Sequence, residues 1–366
     1  MAEQVHHITK ADEKSTTVDL HPTIDTENAP TITYPHLTIT IQQPEKEPKV
    51  GCLKMSLAVF LETIVVLFKL LYFHAEALFK YVAPTFLRSK KSLVGKKILI
   101  TGSGSGIGRK MSIEFAKQGA ILVLWDRNHE DNEKTRKLVE DLGAKVFTYQ
   151  VDLMSFEQID KVSNLTKSEV GKIDILVNNA GVASGKGLFD LQESTIDLSF
   201  GVNVRSHFRT LQNFLPPMLE ANDGHIVTIA SMAGKLATHG HPDYFSSKHA
   251  AVGLHDAVTT DVIKSGKSDV KTTIVCPYYI HTPMFDTQGA ETKLPFLIPT
   301  LTADYVAFKV VEAVQLNSEV LVLPRIFYAF VLTLPMLPYK AAYLVGTFLG
   351  IVQDEDRFNR ESNKNQ

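Results

Sequence analysis

The stretch KKILITGSGSGIG, residues 96 to 108, joins a short aliphatic run to a cluster of glycines. The run KKILIT has the length and the side chains of a buried β-strand. Six more runs of this kind follow, separated by longer stretches with helical periodicity: ILVLWD, VFTYQVD, DILVNNA, HIVTIAS, KTTIVCP and EVLVLP. Strands that alternate with helices predict an α/β fold with a doubly wound parallel sheet, which binds ligands at the carboxyl ends of its strands.

The glycine cluster, Thr101 to Gly108, fits the pattern T-G-x-x-x-G-x-G. It does not fit the general dinucleotide fingerprint G-x-G-x-x-G, because Ile107 stands where that fingerprint needs a glycine. Glycines let such a turn close and let the backbone approach a diphosphate, and the helix N-terminus that follows offers free N–H groups. A glycine cluster alone is often only a tight turn. The second strand favours a cofactor, because it ends at Asp126, whose carboxylate can accept hydrogen bonds from an adenosine ribose. We therefore predict a Rossmann-type sheet that binds NAD, with NADP as the alternative.

The composition excludes some classes of function. The 366 residues carry a formal net charge of -2, and their Lys and Arg residues form no basic stripe with interleaved aromatic residues, so we expect no nucleic-acid partner. The two cysteines, Cys52 and Cys276, lie far apart and outside any metal-ligand spacing, so we expect no metal site. This cysteine usage favours a reducing environment that faces the cytosol.

Two segments of different character precede the first strand. Residues 1–50 are polar, lack the regions of a secretory signal peptide, and are predicted to be a disordered tail. Residues 51–92 are predicted to be an apolar membrane-anchor helix. Its charged residues fall within about 40° of one line along the helix, at 100° per residue. They are Glu62, Lys69, Glu76 and Lys80.

These charges bear on how the helix would meet a membrane. A charge at the bilayer centre costs roughly 2.5–3.5 kcal/mol on insertion scales, and a helix that lies in the interface avoids that cost. We therefore favour an interfacial helix, and an amphipathic helix packed on a soluble domain is the alternative. Basic residues are denser after this helix than before it, which keeps the following domain on the cytoplasmic side.

The rest of the chain divides into a domain and an extension. The α/β domain is predicted to span residues 93–325, and an apolar extension with a polar tail follows at residues 326–366. The stretch between Thr282 and Tyr305 has no clear period and is predicted to be a lid over the substrate. Two prolines interrupt the extension, yet it is too apolar for a solvated tail. We interpret it as a second membrane-contacting or substrate-channel segment, and a dimer interface is the alternative.

Tyr244 and Lys248 lie four residues apart, which places both side chains on one face if the segment is a helix. Oxidation of an alcohol needs a base for its hydroxyl proton, and a free tyrosine, with a pKa near 10, is a poor base at neutral pH. Bringing that pKa close to neutrality takes roughly 4 kcal/mol, which a nearby ammonium and an oxidised nicotinamide could supply. Ser231, at the predicted end of a strand, could hydrogen-bond the substrate oxygen. An exposed Tyr–Lys pair and a serine that caps the local backbone are the alternatives.

Five motifs together resemble the short-chain dehydrogenase/reductase family, in its conventional order and over roughly residues 93–325. The motifs are Thr101–Gly108, NNAG at Asn178–Gly181, Asn203 in GVNV, Ser231 in IVTIAS, and Tyr244-x-x-x-Lys248. Finer features are similar to the membrane-associated branch with retinol dehydrogenases and 17β-hydroxysteroid dehydrogenases, and most of all to its retinol-oxidising members. These features are the apolar N-terminal segment, VLWD, GHIVTIAS and LPRIFYAFVLTLPMLP.

The resemblance implies four catalytic residues: Asn203, Ser231, Tyr244 and Lys248. In the family, the tyrosine transfers the proton, the serine stabilises the developing alkoxide, and the lysine also binds the nicotinamide ribose. The matching asparagine holds a water that links the lysine to solvent. Without the resemblance, Asn203 could equally be a solvent-facing residue of a predicted helix.

The resemblance also implies the residues that bind the cofactor. Asp152 matches the acid near the adenine ring, Asn179 a residue that supports the central strands, and Thr282 the threonine that contacts the nicotinamide amide. Tyr278 is a departure, because glycine is usual at its position, and it leaves the local backbone path open. The complete set is Thr101, Gly102, Ser103, Ser105, Gly106, Ile107, Gly108, Asp126, Asp152, Asn179, Ala180, Gly181, Tyr244, Lys248, Pro277 and Thr282.

The activity implied by the resemblance is that of an NAD(P)-dependent oxidoreductase at a membrane or lipid-droplet surface. It would interconvert a lipophilic alcohol, retinol-like or a hydroxysteroid, and its aldehyde or ketone. The expected location is the endoplasmic reticulum membrane, lipid droplets or both, with the catalytic domain facing the cytosol, and the expected assembly is a homodimer. The alternative is a non-catalytic lipid-surface protein that uses the nucleotide fold for binding or scaffolding. The four intact catalytic residues argue against it, since a scaffold would lose little by losing one of them.

Overall fold

A computed structural model describes most of the chain. The described residues are 23–25, 31–34, 37–40, 57–82, 88–236, 240–282, 284 and 292–351. The chain divides into two compact units, Met1–Ala83 and Pro84–Gln366. Every residue of the predicted site belongs to the second unit.

The first unit contains a small antiparallel sheet. Its strands are β1 (Thr23–Asp25), β2 (Thr31–Tyr34) and β3 (Leu37–Thr40), in the order β1-β2-β3. Threonine and isoleucine alternate in TITY and LTIT, and β-branched residues favour strands. The structure therefore differs from the predicted disordered tail at these strands, and the other residues of 1–50 lie outside the described residues.

Helix α1 (Leu57–Val82) occupies most of the predicted anchor, residues 51–92. The parts of that anchor at 51–56 and 83–87 lie outside the described residues. Large apolar side chains are exposed along α1, Phe68 the most at 69%. In the part of the chain that the structure describes, no helix is both long and apolar enough to cross a bilayer.

The second unit is built on a parallel sheet. Its strands are, in chain order, β4 (Lys97–Thr101), β5 (Ile121–Asp126), β6 (Val146–Gln150), β7 (Ile175–Asn178), β8 (Gly224–Ile229), β9 (Val270–Pro277), β10 (Ile280–His281), β11 (Leu301–Thr302) and β12 (Val320–Leu323). Seven of them form the sheet, in the order β12-β9-β8-β7-β4-β5-β6, and β10 pairs with β11 separately. All seven predicted runs are confirmed as strands of this sheet. The order reverses direction between β4 and β7, which is where such sheets hold their ligands.

Helices cover both faces of the sheet, as the alternation in the sequence predicts. They are α2 (Gly106–Lys117), α3 (His129–Glu140), α4 (Phe156–Glu169), α5 (Glu193–Phe200), α6 (Ser206–Ala221), α7 (Pro242–Lys264), α8 (Ala303–Gln315), α9 (Phe327–Thr333) and α10 (Tyr339–Leu349). Ile98 and Ile100 of β4 pack in one apolar cluster, with residues of α2, α3 and α8. Leu99, between them, packs in another, with residues of α4, α6 and α7. Successive side chains of the central strand thus anchor opposite layers of helices.

Trp125, the only tryptophan of the chain, precedes the last residue of β5. Its ring is fully buried and meets the ring of Phe214 edge-on, with 5.7 Å between the centroids. Its indole N–H donates to Oγ1 of Thr166 at 3.3 Å. A fixed aromatic ring therefore lies one residue from the carboxyl end of β5.

The C-terminal extension folds onto the carboxyl edge of the sheet. Phe327 of α9 and Leu349 of α10 belong to a third apolar cluster, with Met232 after β8 and Ile298 before β11. Residues 352–366, the predicted polar tail, lie outside the described residues. The described extension is therefore joined to the second unit's core through Phe327 and Leu349.

Candidate active site

The carboxyl ends of the strands open into a cleft of about 360 Å³. The glycine loop and the ends of β5 and β6 line one end, and residues after β8, α7 and the extension line the other. Most of the predicted site residues line this cleft: Gly102, Ser105, Gly106, Ile107, Gly108, Asp126, Asp152, Asn179, Ala180, Gly181, Ser231, Tyr244, Lys248, Pro277 and Thr282. Three predicted residues, Thr101, Ser103 and Asn203, lie behind its wall.

The glycine loop contains two kinds of glycine. A Cβ on Gly108 would lie 2.0 Å from the carbonyl oxygen of Gly102, so the backbone itself excludes any side chain there. Gly106, with φ of +50°, is different, because a Cβ there would meet only the side chain of Thr282, at 3.8 Å. The loop is therefore closed on its inner side and open toward the cleft.

The start of α2 borders this open space. Its N-cap, Ser105, makes no capping hydrogen bond with its side chain, whereas Asn128 and Ser155 cap α3 and α4. The first N–H groups of α2 thus have no side-chain cap, and the positive end of the helix dipole adds to their attraction for an anion. The residues fit the dinucleotide that the sequence predicts, with Gly106 and Ile107 in place to hold its diphosphate.

Asp126 is held at the edge of the cleft by the backbone. Its Oδ2 accepts the N–H of Gly104 at 2.8 Å, and its Oδ1 accepts the N–H of Asn128 at 2.8 Å. A carboxylate has further lone pairs, which can accept hydrogen bonds from ribose hydroxyls. Arg127, which follows it, is exposed and also lines the cleft.

Thr101 and Ser103 support the loop from behind. Oγ1 of Thr101 accepts the N–H groups of Asn179 and Ala180, at 3.0 and 3.1 Å. Oγ of Ser103 donates to Oδ1 of Asn132, in α3, at 2.8 Å. Both side chains are fully buried. They tie the loop to the residues after β7 and to α3, with their hydroxyls turned inward.

Tyr244, Lys248 and Ser231 meet at the middle of the cleft. The first two are almost fully buried on one face of α7, with Nζ of Lys248 5.8 Å from the centre of the Tyr244 ring. Nζ also donates to the carbonyl oxygen of Ile229 at 3.1 Å. The Tyr244 hydroxyl is hydrogen-bonded to the side chain of Ser231, whose Oγ accepts the N–H of Ala233 at 3.1 Å. The burial rules out an exposed Tyr–Lys pair.

Burial also determines the protonation of this pair. It raises the pKa of Tyr244 to about 12, and the hydrogen bond with Ser231 acts in the opposite direction. It lowers the pKa of Lys248 to about 8. The chain alone therefore keeps the phenol protonated at neutral pH, and the proximity of Lys248 is not enough to make it a base. A further positive charge beside the ring is needed, which an oxidised nicotinamide carries.

Lys248→Met is expected to change the pH dependence of stability. A lysine with a pKa of about 8 when folded and 10.5 when unfolded releases a proton on folding, so its contribution to the free energy of unfolding rises with pH across that window. From pH 7 to pH 9.5, the free energy of unfolding of the parent should rise by about 2 kcal/mol relative to that of the variant, as measured by urea unfolding. Lys264→Met, at the exposed end of α7, is the control and should show no such trend. If the difference in free energy of unfolding between the parent and Lys248→Met did not change with pH, the effect of burial on the pKa of Lys248 would be contradicted.

Asn203 lies in a short π-helical segment between α5 and α6 and is fully buried, so the alternative of a solvent-facing residue is wrong. Its Oδ1 accepts the N–H of Val182 at 2.8 Å, and its Nδ2 donates to Val182 O and to Ser247 Oγ, both at 2.9 Å. A Cβ on Gly181 would lie 3.4 Å from both Asn203 Oδ1 and Lys248 Nζ, so the two atoms border the same space beside Gly181. One lone pair of Oδ1 is left for a water beside the lysine.

Asp243 is a buried carboxylate that sequence reasoning missed. It accepts hydrogen bonds from Ser184 Oγ at 2.9 Å and from Ser199 Oγ at 2.6 Å. It thereby joins the loop after β7 and helix α5 to the first turn of α7, directly before Tyr244. An acidic residue in the first turn of a helix is common, so its sequence position carried no special signal.

The end of the cleft beyond Ser231 is apolar and aromatic. Tyr278 stacks on Phe327 of α9, with 4.7 Å between ring centroids and 28° between the planes. The departure from glycine at Tyr278 therefore gives the C-terminal extension a ring to pack on. Other side chains at this end, none of them singled out in the sequence, are Met232, Leu236, Phe245, Tyr279, Met284 and Ile351.

The described part of the predicted lid is attached to the extension. The backbone N–H of Lys293 donates to the carbonyl oxygen of Leu349 at 3.1 Å, and its Nζ donates to that of Thr347 at 3.2 Å. Residues 283 and 285–291 of the predicted lid lie outside the described residues. These two hydrogen bonds join the segment that starts at Thr292 to the end of α10.

A doubly wound sheet, an open glycine loop and a Ser231–Tyr244–Lys248 group in the cleft define a dinucleotide-dependent oxidoreductase. Residues 96–293 match the sequence profile of the short chain dehydrogenase family. The chain belongs to this family of NAD(P)-dependent enzymes, as the sequence motifs predict.

Relatives and solved structures agree with this assignment. Short-chain dehydrogenase/reductase family 16C member 6 of Bos taurus is 41% identical, over 78% of this chain and 91% of its own. Epidermal retinol dehydrogenase 2 and retinol dehydrogenase 10, both of Homo sapiens, are 37% and 35% identical, over 81% and 80% of this chain and 97% and 92% of their own. A short chain dehydrogenase/reductase from Burkholderia phymatum in complex with NAD has a TM-score of 0.61 and 27% identity, over 67% of this chain and 95% of its own.

Proposed function

We propose that the protein interconverts a lipophilic alcohol, retinol-like or a hydroxysteroid, and its aldehyde or ketone, with NAD as the oxidant, at a lipid surface. The apolar end of the cleft carries this proposal, because its side chains line the same cleft as Ser231 and Tyr244. A long alcohol there would bury its hydrocarbon part and keep hydrogen bonds for its hydroxyl. The names of two relatives, epidermal retinol dehydrogenase 2 and retinol dehydrogenase 10, support a substrate of this class.

The proposed chemistry uses Ser231, Tyr244 and Lys248 in turn. Bound NAD supplies the hydride acceptor. Ser231 donates a hydrogen bond to the substrate oxygen and stabilises the negative charge that develops on it. Tyr244, once ionised, takes the hydroxyl proton of the alcohol. Lys248 supplies positive charge beside the phenolate and binds the nicotinamide ribose, and a water at Asn203 Oδ1 leads the proton to solvent.

The lipid surface is the second part of this proposal. α1 exposes large apolar side chains while its charged residues lie close to one line, which suits a helix that lies in the interface. The proposed location is the endoplasmic reticulum membrane, lipid droplets or both, with the domain at residues 93–325 on the cytosolic side. The proposed assembly is a homodimer.

Turnover by the purified full chain in lipid vesicles tests the substrate class. Retinol, a hydroxysteroid, a long-chain alcohol and ethanol are compared, each with NAD and NADP. At least one lipophilic alcohol should exceed ethanol in kcat/KM by about a hundredfold, because each buried methylene favours it by about 0.8 kcal/mol. Phe327→Ala, which opens the apolar wall, should reduce that ratio without abolishing NAD binding. Equal turnover of ethanol would contradict an apolar substrate, and a complete lack of turnover would favour the scaffold alternative.

Asp126→Ser is expected to remove most of the preference for NAD. The carboxylate accepts hydrogen bonds from the ribose hydroxyls of NAD and repels the additional phosphate of NADP, so the parent should favour NAD. The kcat/KM of the variant with NADP should be about tenfold higher than that of the parent, because the carboxylate no longer repels the additional phosphate. Asp152→Ser, at the other acid of the cleft, is the control and should affect both cofactors alike. A parent that already prefers NADP would mean that Arg127 binds the phosphate.

A further inference from the structure

The C-terminal extension, which belongs to the second unit, also exposes an apolar surface. Its members are large side chains of α9 and α10 and of the turn between them, with exposed fractions from 57% at Tyr343 to 95% at Tyr339. We call this set the outward face: Leu332, Met336, Tyr339, Tyr343, Leu344 and Phe348. Large apolar side chains that are exposed together on one short segment of a folded domain are typical of an interaction site.

Helix α10 is apolar on both sides. Gly346 and Leu349 are buried on the side that packs on the domain. The opposite side carries Tyr343, Leu344 and Phe348, where an ordinary surface helix carries charged residues. The outward side of α3 shows the ordinary case, with its acids and lysines exposed. The sequence of α10 is therefore suited to apolar surroundings on both sides.

In the described segments 292–302 and 325–351, which carry or adjoin the outward face, the charges have one sign. Residues 326–351 contain a single charged residue, Lys340, and residues 292–302 contain only Lys293. Arg325 directly precedes the extension. Aromatic and aliphatic side chains with Lys293, Arg325 and Lys340 beside them suit the interface of a bilayer that contains anionic lipids. Asp354, Glu355 and Asp356, which follow the extension, lie outside the described residues. The polar and charged residues 352–366 offer no matching apolar segment to cover the outward face.

The wall between the cleft and the outward face is one element thick. Phe327 and Ile351 line the cleft, whereas Leu332 and Phe348, a few residues away, are exposed on the outside. The lid segment bonded to α10 also carries Phe296, which is 84% exposed. Whatever the outward face binds therefore lies next to the substrate end of the cleft.

We propose that the outward face, together with Phe296, docks on a phospholipid surface that contains anionic lipids. Docking there places the substrate end of the cleft beside the lipid, so that a lipophilic alcohol enters without crossing water. The benefit for catalysis rests on the proposed function, whereas the docking itself does not. The contact is independent of α1 and belongs to the catalytic unit.

A fluorescent label on the full chain tests this docking. Leu344→Cys in a Cys52→Ser background is labelled with an environment-sensitive dye, since Cys276 is fully buried. With vesicles of phosphatidylcholine that contain about one phosphatidylserine in four lipids, the emission should move to shorter wavelength and rise at least about twofold. The matched control is Ile263→Cys, 73% exposed at the end of α7, which should show no change. The readout needs no turnover, so it separates docking from the proposed reaction.

Two results would overturn the proposal. In the first, the emission of the label at position 344 does not change although the protein floats with the vesicles, which would mean that α1 and not the outward face binds them. The other is a change that appears without vesicles and grows with protein concentration, which would make the outward face an interface between two copies.

A second measurement uses unlabelled protein. The double variant Leu344→Glu, Phe348→Glu should lower vesicle affinity by at least about tenfold, and Ile263→Glu should not. NAD binding by each variant reports whether the domain remains folded. Unchanged vesicle affinity in a double variant that still binds NAD would also overturn the proposal.

Discussion

Tyr244→Phe is expected to lower kcat for alcohol oxidation by at least about a thousandfold, because the proton acceptor is lost while the ring keeps its place. The ring contact with Phe245, 6.4 Å between centroids, does not depend on the hydroxyl. NAD affinity should therefore change by less than about threefold, since the glycine loop is untouched. Single-turnover kinetics and a cofactor titration on the same preparation measure the two effects.

Tyr149→Phe is the matched control for this substitution. Its hydroxyl donates to Glu169 at 2.6 Å, and Tyr149 is not among the residues that line the cleft, so kcat should stay near that of the parent. A residual rate in Tyr244→Phe above about a thousandth of the parent would show that another group accepts the proton.

Gly108→Ala is expected to have the second-largest effect. The new Cβ would lie 2.0 Å from the carbonyl oxygen of Gly102, and this neighbour is backbone of the same loop. The overlap can be relieved only by moving the loop that borders the start of α2. We expect a loss of about 3 kcal/mol in the free energy of unfolding and at least about a hundredfold loss of NAD affinity.

Gly253→Ala is the matched control, because Gly253 is exposed in α7 and a Cβ there meets nothing within 4 Å. Alanine is a better helix former than glycine, so the free energy of unfolding of this variant should rise by up to about 1 kcal/mol. It should bind NAD as the parent does. Calorimetric unfolding and NAD titration of both variants make the comparison. If Gly108→Ala behaved like Gly253→Ala, the close approach of the loop to α2 would be wrong.

Local patterns were sufficient to predict the sheet and much of the site. Both faces of a parallel sheet are mostly buried, so its strands are short runs rich in aliphatic and β-branched residues that can be recognised by themselves. The glycines at 102, 106 and 108 are set by the backbone of a single turn. Tyr244 and Lys248 are one helical turn apart, so their approach also follows from local spacing.

Contacts between distant segments could not be predicted in this way. Asp243 bonds to Ser184 and Ser199, which lie 59 and 44 positions earlier in the chain, and no local pattern connects the three. Ser103 belongs to the glycine loop by sequence, yet its hydroxyl turns to Asn132 in α3, 29 positions later. The packing of Phe327 on Tyr278 likewise depends on how the extension returns to the sheet.

Because Trp125 is unique and its backbone neighbour Asp126 borders the cleft, the protein contains its own optical probe. All tryptophan emission comes from one ring, packed on Phe214 and bonded to Thr166. Loss of that packing would shift the emission to longer wavelength, and a reduced nicotinamide in the cleft would quench it by energy transfer. Dinucleotide capture and unfolding can thus be followed as separate spectral events in the unlabelled chain.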